Sequence, residues 1–188
     1  GGLSIVAAGR PALAGRVAFT LSFGGHGDLG RTMRYLCTGV QPDGTLRPPH
    51  DYGLVILLLN FAPFIVPEEQ VEDLRAGIRT FLKASHVDMV DKPAARVIFD
   101  RAISMEESLP EPSRRLLHAV NAREVEYLGP LLQPYLDRVP LPDSVSPERS
   151  PAPASPVFLL HGSDDNVIPA GESERLAASL QARGSAVR

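Results

Sequence analysis

An acidic loop near the end of the sequence has the residues best suited to chemistry. Residues 158–169 read FLLHGSDDNVIP, so an apolar strand leads into a glycine, two adjacent carboxylates and a small apolar pair closed by proline. Such a loop can aim one carboxylate, Asp164 or Asp165, across the top of a sheet at a histidine. That carboxylate would fix the imidazole tautomer and stabilise the imidazolium formed during acyl transfer. The structural alternative is that both acids merely cap and solvate a turn.

This stretch resembles the acid loop of the α/β-hydrolase family, usually written H-G-x-x-D-x-x-V/I-P. His161, Gly162, Asp165 and Pro169 match the motif, and Ile168 occupies its V/I position. The resemblance implies that Asp165 is the acid of a Ser–His–Asp triad. It also implies that His161 and Gly162 support the loop, with His161 bracing it through backbone hydrogen bonds.

Asp164 falls on a variable position of the same motif, where it is expected only to support the loop.

The first residues of the chain resemble another part of the family. The sequence GGLSIVAA at residues 1–8 is similar to the helix that follows the nucleophile elbow, G-x-S-x-G-G, where a sharp strand-to-helix turn exposes the serine hydroxyl. If Gly1 is the fifth residue of that motif, the nucleophile lies two residues upstream.

The order of the triad residues along the chain bears on whether the site is complete. The family order is Ser, then Asp, then His, and no histidine follows Asp165. The resemblance therefore implies a fragment that starts just after the elbow, ends before the catalytic histidine, and is inactive as given. Within the chain, Ser4 fits G-x-S, but Val6 stands where a glycine is needed, so an ordinary helical serine is favoured.

Other candidate nucleophiles and bases are weaker. His26 follows a strand end and is the best pocket residue among the remaining histidines. The others are expected on surfaces or pocket walls: His50, His86 and His118. Cys37 is the single cysteine, and an inert buried thiol is favoured over a nucleophile.

Adjacent acids also suggest a metal site. Asp28, Asp164 and Asp165 could converge beyond neighbouring strands and offer oxygen ligands to a hard cation. Their spacing matches no standard metal motif, and no Cys/His spacing indicates zinc. We therefore expect neither a metal nor another cofactor. The net charge of −3, with acids and bases interspersed, gives no electrostatic footprint for nucleic acid or an anionic membrane.

The pattern of elements indicates an α/β fold. Residues 16–23 and 157–160 read as buried strands, and residues 29–139 read as helices without a convincing strand. Strands joined through helices form parallel sheets with right-handed crossovers. We predict a partial α/β-hydrolase parallel sheet of two to three strands, the third beginning near Ala186, with a large helical cap insertion.

Functional groups in such sheets lie beyond the carboxyl ends of the strands. Those ends are residues 24–28 and residues 161–169, so Asp165 is expected to lie close to the first of these loops. The predicted domains are core at 1–28, a helical cap at 29–139, a proline-rich linker at 140–156 and core again at 157–188. Within the cap, a helix at 124–136 is expected to be interrupted at Gly129 and Pro130.

Two functions are compatible with these features. The first is a fragment of a serine hydrolase that acts on an ester, amide or similar acyl bond of a small molecule, with the apolar helix at residues 54–64 suggesting a hydrophobic pocket. The second is a non-enzymatic helical module whose segment 54–66 contacts lipid or a partner. A helix that spans a membrane needs about 20 apolar residues. That segment is shorter, and Asn60 and Pro63 interrupt it. No signal peptide is visible, and a cytoplasmic location is favoured.

Overall fold

The computed structural model describes residues 1–138 and 140–188, which form eight α-helices and two strands. The helices are α1 (Gly2–Ala8), α2 (Leu29–Thr38), α3 (Asp51–Ile65), α4 (Glu68–Asp88), α5 (Lys92–Ser108), α6 (Ser113–Asn121), α7 (Val125–Leu136) and α8 (Gly171–Ala182). The strands are β1 (Thr20–Phe23) and β2 (Val157–Leu160). Short 3-10 turns occupy Pro11–Leu13 and Asp143–Val145.

The chain divides into two compact units. One comprises Gly1–Pro48 and Val139–Arg188, and the other comprises Pro49–Arg138. The predicted cap begins at residue 29, whereas the second unit begins at Pro49, so α2 belongs to the first unit. The proline-rich segment at 140–156 belongs to the first unit as well.

A parallel two-stranded sheet forms the centre of the first unit. Its register runs from Thr20↔Val157 to Phe23↔Leu160. On the opposite edge of β2, a parallel bridge joins Val157 to Val187, where the sequence predicts that a third strand begins. The parallel pairing of the two predicted strands is confirmed. The chain is mostly helical with a small parallel sheet, which is compatible with a partial α/β fold.

β1 is shorter and less buried than the sequence indicates. Pairing covers only Thr20–Phe23 of the predicted strand at 16–23, and burial alternates along it. Thr20 and Ser22 are buried, whereas Leu21 and Phe23 are 52% and 67% exposed. The prediction of a fully buried strand is wrong because helices cover only one face of this sheet, and parallel strands are buried throughout only when both faces are covered.

The covered face carries the apolar core of the first unit. Ile5 of α1 and Leu176 and Leu180 of α8 pack around Val157 of β2, and all four side chains are at most 1% exposed. Burying each of these side chains stabilises the fold by about 1.5–3 kcal/mol relative to leaving it in water. The core therefore joins the two distant segments of sequence that form this unit.

In the second unit, α3 is apolar nearly all round. Leu54, Val55 and Leu58 are completely buried, and α3 packs against both α4 and α7. None of the described helices combines the length and the apolar composition that crossing a bilayer requires. The apolar segment that suggested a lipid or partner contact is thus largely the core of this unit.

The helix α7 runs unbroken through Pro130 and Pro134, so the predicted interruption at Gly129 and Pro130 is wrong. Leu128 and Leu132 of α7 are completely buried, and this packing against α3 offsets the hydrogen bonds that the prolines remove.

The helices α3 and α7 run in the same direction. Arg123, which precedes α7, forms an ion pair with Asp51 at the start of α3, with 2.7 Å between Nη1 and Oδ2. Near the end of α7, the ring of Tyr135 lies 6.4 Å from that of Phe61. The first residues of the two helices are therefore close together, and so are the regions near their last residues.

We expect Gly9→Ala to destabilise the first unit by roughly 1–3 kcal/mol. A β-carbon on Gly9 would lie 1.9 Å from the carbonyl oxygen of Pro151, although the backbone of Gly9 is in the ordinary right-handed helical region. The cost is therefore steric, and urea unfolding of the variant measures it. Gly162→Ala is the matched control, because a β-carbon there meets nothing within 4 Å. Equal unfolding midpoints for the two variants would contradict this packing.

Candidate functional site

Asp165 is held by its own loop just beyond the carboxyl end of β2. Its Oδ1 accepts hydrogen bonds from the backbone N–H groups of Val167 and Ile168, both at 2.9 Å. Its Oδ2 lies 3.4 Å from Nε2 of His161, and the side chain is 27% exposed. One carboxylate oxygen is thus fixed by two amides, and the side chain as a whole remains partly exposed.

His161 braces the same loop from inside. Its side chain is 5% exposed, its Nε2 lies 2.7 Å from the carbonyl oxygen of Ile168, and its Nδ1 lies 2.6 Å from Oγ of Ser173. Because a carbonyl oxygen only accepts, Nε2 carries the proton, and in the neutral ring the hydroxyl of Ser173 donates to Nδ1. Both ring nitrogens therefore have protein partners, which suits a structural support better than a general base.

Asp164 and Gly162 contribute backbone rather than side-chain chemistry. The side chain of Asp164 is 98% exposed, and its Oδ1 lies 3.6 Å from Nη2 of Arg47. The carbonyl oxygen of Gly162 accepts a hydrogen bond from the N–H of Asp165 at 3.2 Å and closes the turn. The adjacent acids therefore have different surroundings, and only Asp165 faces the edge of the sheet.

The loop after β1 lies beside Asp165. Gly24 has a φ of 53°, a left-handed conformation that favours glycine, and a β-carbon there would lie 3.4 Å from Oδ2 of Asp165. Gly1 lies against the same turn, because a β-carbon on Gly1 would be 3.2 Å from the Cα of Gly25. The start of α1, the turn at Gly24–Gly25 and the carboxylate of Asp165 thus follow one another along one edge. The predicted proximity of the two loops is confirmed.

Two polar residues of the β1 loop have structural partners. Nε2 of His26 lies 2.8 Å from the carbonyl oxygen of Val145. Asp28 caps α2 by accepting from the N–H of Arg31 and pairs with Arg149 at 2.6 Å. Burial acts to raise the pKa of Asp28, but the hydrogen bonds from Arg31 and Arg149 outweigh it and lower the pKa. Its carboxylate therefore stays charged and committed to these partners.

A buried ion-pair network lies beneath this loop, and sequence reasoning missed it. Glu172 is 1% exposed and accepts hydrogen bonds from the N–H groups of Gly27 and Asp28 at 2.9 and 3.1 Å. Arg31 binds Glu172 through Nε and Glu148 through Nη2, each at 2.6 Å. The network connects the loop after β1 to the first turn of α8.

The alternative of a metal site gains no support. Asp28 is paired with arginine and Asp164 is exposed away from the loop interior. Across residues 1–138 and 140–188, no three His, Cys, Asp or Glu side chains come together as metal ligands would.

Ser4, His50 and His118 also have local partners. The hydroxyl of Ser4 donates to the carbonyl oxygen of Gly1 at 2.7 Å, as in an ordinary helical turn. His50 caps α3, and Nδ1 of His118 lies 3.1 Å from a carboxylate oxygen of Glu106. His86 lies in the last turn of α4. The hydroxyl of Ser4 also lies 3.3 Å from the carbonyl oxygen of Leu21, and the three histidines belong to the second unit.

The thiol of Cys37 is expected to be unreactive in the folded protein. Burial raises its pKa to about 12, and the residue is 7% exposed, so the nucleophilic thiolate is scarce and shielded. Ellman's reagent at about pH 8 should therefore titrate this thiol only after unfolding in guanidinium. Rapid reaction of the folded chain would contradict the buried environment.

Comparison with known proteins finds no match to a family model, to a characterised protein or to a solved structure. A function for this chain is therefore inferred from its own residues. The arrangement around Asp165 combines a partly exposed carboxylate with a firmly held support at the end of parallel strands.

Proposed function

We propose that this chain carries the acid loop of an α/β-hydrolase-type serine hydrolase, in which Asp165 orients the histidine that activates a serine. The observation that carries the proposal is the partly exposed carboxylate of Asp165, whose Oδ2 lies beside Gly24 at the carboxyl edge of a parallel sheet. Active sites of open α/β sheets lie at this edge. The parallel order of β1, β2 and the bridge at Val187 further supports this type of sheet.

The proximity of Gly1 to the same edge supports a role for α1. If α1 follows a nucleophile elbow, the serine two residues before Gly1 lies near the Gly24–Gly25 turn, and Asp165 lies on the other side of that turn. A histidine between the serine and Asp165 would then hydrogen-bond to both. The proposal assigns serine and histidine to adjoining polypeptide, because Ser4 and His161 are engaged elsewhere.

In this reaction the serine oxygen attacks the carbonyl carbon of an ester, amide or similar acyl bond. The histidine takes the serine proton, and Asp165 stabilises the resulting imidazolium through Oδ2. The histidine then returns the proton to the leaving group, which departs and leaves an acyl-enzyme that water hydrolyses. Asp165 stays ionised throughout, and its Oδ1 remains fixed by the amides of Val167 and Ile168.

The coding sequence that adjoins this chain tests the proposal most directly. We expect a G-x-S-x-G whose last glycine is Gly1, and a histidine about 25 to 35 residues beyond Asp165. The protein with these segments should be labelled on that serine by a fluorophosphonate and should hydrolyse p-nitrophenyl esters. Adjoining sequence without either motif, or a protein that resists labelling, would overturn the proposal.

A further inference from the structure

Arg47 binds the acid loop from outside its motif. Its Nη1 donates to the carbonyl oxygen of Ser163 at 3.2 Å, and its Nη2 donates to that of Asp164 at 2.9 Å. These two carbonyls belong to the turn that immediately precedes Asp165. The planar guanidinium presents its donors in a fixed fork, so one side chain holds two consecutive peptide groups.

The arginine itself is anchored. Its backbone N–H donates to the carbonyl oxygen of Gly39 at 2.8 Å, and an antiparallel bridge joins Val40 to Leu46 just before it. The side chain is 31% exposed, so most of it lies against the protein. Arg47 is thus held at its backbone by the segment that follows α2 and at its guanidinium by the acid loop.

Tyr35 holds the other half of the loop. Its side chain is almost completely buried, and its hydroxyl donates to the carbonyl oxygen of Asn166 at 3.2 Å. Burial raises the pKa of this phenol, and the negative charge of Asp165 raises it further against the effect of Arg47. The hydroxyl therefore keeps its proton and remains a donor at neutral and moderately alkaline pH.

We propose that Arg47, assisted by Tyr35, is a positioning residue that fixes the orientation of Asp165, an inference that rests on the proposed hydrolase function. Asp165 Oδ1 bonds only to amides of its own loop, so the direction of Oδ2 follows the loop backbone. The carbonyls on both sides of Asp165 are tied by Arg47 and Tyr35. Without the arginine, the two carbonyls before Asp165 would turn to water, and Oδ2 would sample directions unsuited to a histidine.

The test uses the protein that includes the adjoining coding sequence, as wild type and as Arg47→Ala, Arg47→Lys and Arg34→Ala. Arg34 is an exposed arginine of α2 and provides a matched loss of charge. Because a misplacement of about 1 Å can cost 10²-fold in rate, we expect Arg47→Ala to lower kcat roughly 10- to 100-fold with KM unchanged. Lysine supplies one point-charge donor in place of the fork, so Arg47→Lys should restore part of the rate, and Arg34→Ala should match the wild type.

Amide hydrogen exchange gives a second readout that needs no turnover. The amides of Val167 and Ile168 are bonded to Asp165 Oδ1, so they should exchange about tenfold faster in Arg47→Ala, whereas amides within β1 should keep their rates. Acceleration in both regions would mean general unfolding and would overturn the positioning role. If the wild type turns over and Arg47→Ala keeps full kcat, this inference alone fails. If the wild type lacks serine-dependent turnover, the proposed function fails, and the catalytic role of Arg47 with it.

Discussion

If Asp165 has the proposed role, Asp165→Asn is expected to lower the kcat of the proposed hydrolase by about 10⁴-fold. The amides of Val167 and Ile168 point at Oδ1, so the single amide oxygen of asparagine is held at that position. The side-chain NH₂ then occupies the place of Oδ2 and presents a donor to the histidine. The histidine would be held in the tautomer that cannot accept the serine proton.

The neighbouring acid supplies the control for this measurement. Asp164→Asn changes the same charge one residue earlier, at a side chain that is 98% exposed, and should leave kcat within about twofold because surface substitutions rarely change the energy by more than 0.5 kcal/mol. Steady-state hydrolysis of a p-nitrophenyl ester measures both variants. Equal losses for the two variants would mean that the charge of the loop, rather than the geometry of Asp165, supports turnover.

Arg31→Ala is expected to lower the free energy of unfolding by about 3 kcal/mol, the lower end of the range for breaking a buried pair. The lower end applies because the arginine side chain is 23% exposed, whereas Glu172 is 1% exposed. The substitution leaves the carboxylate of Glu172 buried without a cation and releases Glu148 as well. Unfolding of the 188-residue chain in urea measures the loss.

Two further variants test the geometry of this network. The free energy of unfolding of Arg31→Lys should lie between those of the wild type and Arg31→Ala. A single ammonium group reaches Glu172 and Glu148 less well than the forked guanidinium does. Arg175→Ala removes an exposed arginine of α8 whose hydrogen bond to Pro42 is long, at 3.4 Å, and should cost less than about 0.5 kcal/mol. A loss for Arg31→Ala as small as that for Arg175→Ala would contradict the buried network.

The sequence predicted the helices well where periodicity and local signals agree. The apolar helix predicted at residues 54–64 lies entirely within α3, which extends it by three residues at its start and by one at its end. The sequence failed where tertiary packing decides. Pro130 is a helix breaker in isolation, yet the packing of α7 against α3 keeps the helix intact.

The candidate site was predictable in its motif but not in its support. His161 and Asp165 were singled out by the resemblance of the loop to the α/β-hydrolase motif, whereas Arg47 and Tyr35 act on backbone carbonyls, and such contacts leave no residue pattern. Glu172 lies in the first turn of α8, and no feature of the sequence marks it as buried. Its burial depends on Arg31, 141 residues away in sequence, and that distance hides the pair from any local interpretation.

The shared direction of α3 and α7 sets a requirement for deletion of the second unit. Asp51 and Phe61 are ten residues apart on one helix, which corresponds to about 15 Å along its axis at 1.5 Å per residue. Arg123 pairs with the first of them and Tyr135 with the second, so the polypeptide enters this unit at one end and leaves near the other. An extended replacement would need at least about five residues to cover that distance. A flexible glycine–serine linker would need about seven or eight to span it at its average length.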